Sequence, residues 1–163
     1  MGTVLYEVGF QMETGALVLI ILMIGFPLIL KVKWRALTVP LRIFFSMACA
    51  FMLFLCLFVF KFQYDMYCTV MDAYKTGQYQ IVEGHVENFD ALERNERGHE
   101  SFEINGVTFS YSDSTIITGY HNTRENGGVI IGDGQYLKIG YIYYNDSYGN
   151  IIVYIEGNRY PKT

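Results

Sequence analysis

Charge is missing from this sequence over long stretches. TGALVLIILMIGFPLIL, Thr14 to Leu30, contains no Asp, Glu, Lys or Arg, and IFFSMACAFMLFLCLFVF, Ile43 to Phe60, contains none either. Charged residues make up 17% of the chain and hydrophobic ones 52%, whereas about a quarter of an ordinary soluble domain is charged. That balance argues against a uniformly soluble globule. Cysteine is scarce too. Cys49 and Cys56 lie in the second uncharged run, Cys68 lies just beyond it, and residues 78–163 contain none, so no disulfide framework staples the C-terminal half. In the run, Cys49 and Cys56 serve as small apolar residues. Basic residues are few after position 78, where six Lys and Arg face twelve Asp and Glu, a net charge of −6. A phosphate backbone is repelled by that charge, which disfavours nucleic acid as a partner. No serine sits in a G-x-S-x-G elbow.

At about 1.5 Å per helical residue, each uncharged run nearly crosses a hydrocarbon layer roughly 30 Å thick. A cleavable signal peptide places basic residues before its apolar run. Here the order is reversed: Glu7 and Glu13 precede the first run, and Lys31, Lys33, Arg35 and Arg42 follow it. Lys and Arg in a short loop resist translocation. The pattern therefore predicts a two-helix transmembrane hairpin: a short outside tail (1–13), a first span (14–30), a basic cytoplasmic loop (31–42) and a second span (43–60). Next comes a helical stalk over 61–77, with Phe62, Met66, Val70 and Tyr74 in one stripe and Gly77 at its end.

From Gln78 the texture changes to β-branched and aromatic residues punctuated by glycine. Asn105-Gly106 predicts a tight hairpin between Phe102–Ile104 and Val107–Tyr111. Asp133-Gly134 predicts a reversal into a long strand, Gln135 to Tyr144, and NDSYGN a loop into a last strand, Asn150 to Glu156. Gly84 in the middle of a long first strand, Tyr79 to Asp90, suits a sharp bend. The expected fold class is a small all-β domain over 78–163, an OB-like five-stranded open barrel, with a small β-sandwich as the alternative. Val86-Glu87-Asn88-Phe89, Gly98-His99-Glu100-Ser101-Phe102, Asn105-Gly106-Val107, Phe109, Tyr111-Ser112-Asp113 and Gly127-Gly128 ahead of Gly134 together resemble a small bacterial membrane-anchored β-domain family without an assigned activity. The resemblance implies a bacterial origin, hence an inner-membrane location for the hairpin, a recurring domain and no catalytic residues.

Two groups of residues stand out as candidates. Glu83, His85 and Glu87 alternate and so share one face of a strand. The plain reading is a solvated face; with His99 or His121 brought near, the trio becomes a polar or metal site. Ser101, Ser110 and Ser112 are available as nucleophiles beside His99 and Asp113. In the last two strands both faces are too apolar for one-sided burial. Either the Asp113 to Gly128 connection covers them, or Tyr136, Lys138, Tyr144, Ile152 and Tyr154 form a patch for a protein partner or a second copy. No cofactor is implied. The expected function is a non-enzymatic module that displays its β-domain outside the membrane to an envelope protein or toxin. The alternatives are an antiphage effector sensing a cyclic nucleotide in the cytoplasm, and a metal-dependent or serine hydrolase.

Overall fold

The structure, a computed structural model, describes residues 2–9, 21, 24–25, 31, 37–91, 98–115 and 117–157. The expected first span, apart from Ile21, Ile24 and Gly25, lies outside them, as do residues 32–36 of the basic loop and residues 92–97. The elements run β1 (Thr3–Glu7), α1 (Val39–Lys75), β2 (Gln80–His85), β3 (Glu87–Asp90), β4 (Glu100–Ile104), β5 (Val107–Tyr111), a 3-10 turn (Arg124–Asn126), β6 (Tyr136–Asn145) and β7 (Gly149–Gly157). Two compact units result, one of Gln11–Asp65 and one of Met1–Phe10 with Met66–Thr163.

This corrects the expected fold class. Among the described residues there is one long apolar helix, not two, and the strands form two antiparallel sheets, β1-β7-β6-β2 and β3-β4-β5, neither closed into a barrel. Two local features prevent closure. The long first strand does not bend at Gly84 but breaks at Val86, whose N–H donates to the Gln135 carbonyl (2.9 Å) and whose carbonyl accepts from Gly134 (2.8 Å). Asn88 then takes a positive φ of 54°, so β2 stays with β6 while β3 turns to β4. At the far edge, β7 is occupied by β1, which leaves it no edge for the second sheet. The β4–β5 hairpin turns on Asn105 and Gly106, both at positive φ as a two-residue turn requires.

Helix α1 carries Pro40 in its first turn, where a missing N–H costs nothing, and continues without interruption through the expected boundary between span and stalk. It stops where Gly77 adopts a left-handed conformation: Gly77 N–H donates to Tyr74 O and Gln78 N–H to Ala73 O, the paired bonds that close a helix C-terminus. α1 is long and apolar enough to cross a membrane. Phe44, Met47 and Phe58 are 64%, 68% and 64% exposed, whereas a soluble protein's core helix buries such residues. The first charges after the uncharged run, Lys61 and Asp65, pair at 2.7 Å one helical turn apart.

The β-domain has two cores. One lies between the sheets, where Val86, Phe102, Ile104, Phe109 and Tyr111 meet Leu137, Ile139, Tyr141, Ile152 and Ile155. The other lies on the outer face of the four-stranded sheet, where Met66 and Val70 of α1 pack with Val8, Ile151 and Val153, flanked by Tyr74, Tyr79 and Ile117. The doubly apolar strands are thus covered on their outer side chiefly by the end of the helix. A register shift between Gly140 and Tyr141 pairs Gly140 with Tyr154 and Tyr141 with Ile152, leaving Val153 as the extra residue. The slip turns Ile152 inward and Val153 outward, which regular alternation cannot anticipate.

Met66 and Val70 are essentially fully buried, at 1% and 0% exposure, and each such side chain stabilises by about 1.5–3 kcal/mol. Met66→Ala is expected to destabilise the β-domain by roughly 2–5 kcal/mol, while Phe62→Ala, one turn earlier and exposed, leaves its melting unchanged. Near-UV circular dichroism melts of the full chain in detergent compare the two.

Candidate functional site

Only part of the outer face of the four-stranded sheet is covered. Tyr79 stacks on Tyr74, with ring centroids 5.6 Å apart, and lies against Gly140, where a Cβ would meet its ring at 2.9 Å. The other half is open. Its rows follow from the strand register: His85 stands opposite Tyr136, Glu83 opposite Lys138, and Lys138 opposite Glu156, with Ile81 opposite Gly140. Opposed residues share a face, so two carboxylates flank one ammonium across three strands. Strands lie roughly 4.8 Å apart, which sets the outer two backbones about 10 Å apart.

Both carboxylates are held by tyrosines. The Tyr136 hydroxyl donates to Glu83 Oε1 (2.8 Å) and the Tyr154 hydroxyl to Glu156 Oε2 (2.9 Å). The Glu83 bond raises the Tyr136 pKa; for Tyr154 burial acts first and the Glu156 bond second, in the same direction. His85 meets Tyr136 edge to face at 5.1 Å, and its Nδ1 lies 3.0 Å from the Gly134 carbonyl. No ion pair joins Lys138 to Glu83 or Glu156. Tyr136 and Ile81 are 46% and 56% exposed.

The two candidate groups read from the sequence are therefore regrouped. Glu83 and His85 share the open face with Tyr136 and Lys138, and Tyr154 borders it. Glu87 leaves with β3 to stand opposite Glu103 in the other sheet. Tyr144 is half-buried against Tyr148 in the helix-covered core, and Ile152 is buried between the sheets. Glu156 was not singled out, because nothing in the sequence pairs the end of the last strand with Lys138.

The histidines do not converge. His99 is exposed at a cleft of about 340 Å³ also lined by Ser110, Thr115, Asp146 and Tyr148. Its Nε2 meets the Thr115 hydroxyl at 3.4 Å, while Asp146 accepts from Tyr143. Ser101 stands opposite Ser110, and the Ser112 hydroxyl meets that of Ser114 at 2.9 Å. His121 Nδ1 lies 3.0 Å from Gly119 O. Among the described residues no group of three His, Cys, Asp or Glu side chains is placed to hold a metal ion.

Comparison with protein-family models, with curated proteins and with solved structures finds no match to this chain. The resemblance noted above thus rests on its residues alone.

A second polar feature is structural. Glu100, fully buried, accepts the Arg124 N–H at both carboxylate oxygens (3.1 and 3.0 Å). Asp113 accepts from the Thr123 N–H (2.9 Å), the Thr123 hydroxyl and Asn126 Nδ2 (2.7 Å). These carboxylates tie the connection between β5 and β6 to the domain. Burial pushes the Asp113 pKa up, but the Thr123 and Asn126 bonds outweigh it and the net shift is downward. A lowered folded-state pKa gives stability that is present above the ordinary value of about 3.9 and lost as pH falls through the lowered one. Asp113→Asn should destabilise the domain by roughly 1–3 kcal/mol at pH 7 and flatten its acid-side loss of stability. Urea melts between pH 2 and pH 7, with amide exchange at Thr123, measure both.

Proposed function

We propose that this chain is a non-enzymatic binding module of a bacterial inner membrane, displaying its two-sheet domain on the outer side for contact with an envelope protein or an incoming toxin. The observation that carries the reading is that residues 66–75 of the apolar helix are also part of the domain's core. A domain that buries the end of its own membrane helix is an anchored domain by construction. The open sheet face, with two fixed carboxylates and exposed Tyr136 and Ile81, supports a contact role.

Strand pairing also bears on topology. β1 and β7 share hydrogen bonds in one sheet, which supports placing residues 3–7 on the same side of the membrane as the β-domain. Lys31, Lys33, Arg35 and Arg42 stand before the uncharged stretch of α1, and basic residues beside a span are retained in the cytoplasm, which favours the outer side for the domain at the helix's other end.

In a chain whose three cysteines are replaced by alanine, single cysteines at Thr3 and at Asn122 test this with a membrane-impermeant maleimide. Labelling of both in intact cells is the expected result. Protection of both until lysis would move the domain inside and favour the cytoplasmic nucleotide sensor; labelling of one alone would break the β1–β7 pairing as the basis for topology.

A further inference from the structure

We infer that the open half of the outer sheet face docks a protein surface bearing two basic side chains, arginines above all, one to meet Glu83 and one to meet Glu156, on strands two apart in the sheet. The inference rests on the binding-module reading and names its surface and partner chemistry. Each carboxylate already accepts one tyrosine hydroxyl, which holds it in place and lowers the ordering cost of binding. A carboxylate has capacity for further donors, and a guanidinium meets it with two parallel N–H groups.

The apolar groups beside the carboxylates suit arginine over lysine. Tyr136 and Ile81 are exposed next to Glu83, and a planar guanidinium stacks on an aromatic ring where a hydrated ammonium gains less. Lys138, between the two carboxylates in register, repels a third cation at the midpoint and so imposes the spacing on the partner. Residues 78–163 carry a net charge of −6, which steers a cationic protein toward the domain and turns away anionic lipid headgroups and nucleic acid.

The test uses the full chain in the membrane of cells that produce it, with a photo-crosslinking phenylalanine derivative at Ile81 and, as a control on another surface, at Asn122. The expected result is an adduct at position 81 with a protein whose contacting segment, mapped by mass spectrometry, is basic. Its yield should fall about tenfold in each of Glu83→Gln and Glu156→Gln, variants that keep side-chain size and still accept the tyrosine hydroxyls. Lys138→Glu should raise the yield. Adducts at 81 that ignore both glutamine variants would overturn the docking chemistry. An adduct at 122 alone would overturn this face while leaving the binding-module reading intact, and none at either position would count against both.

Discussion

The packing of Met66 and Val70 against Ile151, Val153 and Val8 is the contact on which the rest of this molecule depends. It gives the four-stranded sheet a cover on the face turned away from the second sheet, and it makes the end of the apolar helix part of the folded domain. Val8 reaches this core because β1 pairs along β7, with Val8 N–H donating to Val153 O at 2.8 Å. Removing water from one apolar cluster thus joins three segments distant in sequence.

The same packing defines the open surface by where it stops. The helix closes at Lys75 through its left-handed glycine, and the sheet beyond Tyr79 is left to side chains that tolerate water: Glu83, His85, Tyr136, Lys138 and Glu156. Their arrangement is a consequence of register. A strand paired one residue out of step would send these charges into the inter-sheet core, at a cost of several kcal/mol each. Burial of Leu137, Ile139 and Ile155 on the opposite face excludes that alternative.

Much of this was legible residue by residue. The uncharged run before Lys61, the turn at Asn105-Gly106, the helix stop at Gly77 and the reversal before β6 each rest on local chemistry: absent charge, tolerance of positive φ, alternating β-branched side chains. The candidate site was legible in part, since Glu83, His85, Tyr136 and Lys138 were each picked out, but in separate groups. Glu87 was misplaced because the strand breaks at Val86, and that break is set by hydrogen bonds to Gly134 and Gln135, almost fifty residues away. Ile152 was misplaced because an extra residue in β7 reverses the alternation there.

The sequence by itself determined the uncharged stretch of α1, its stop at Gly77 and the turns, since these depend on neighbours within a few residues along the chain. Only the tertiary structure decided that there are two open sheets and not a barrel, that the N-terminal segment is a strand of the C-terminal domain, and that Glu83, Lys138 and Glu156 lie in one row. Each of those outcomes is a pairing between distant strands. Its free energy depends on which edge is left unpaired and which apolar face still needs cover, quantities that exist only once the other elements are in place.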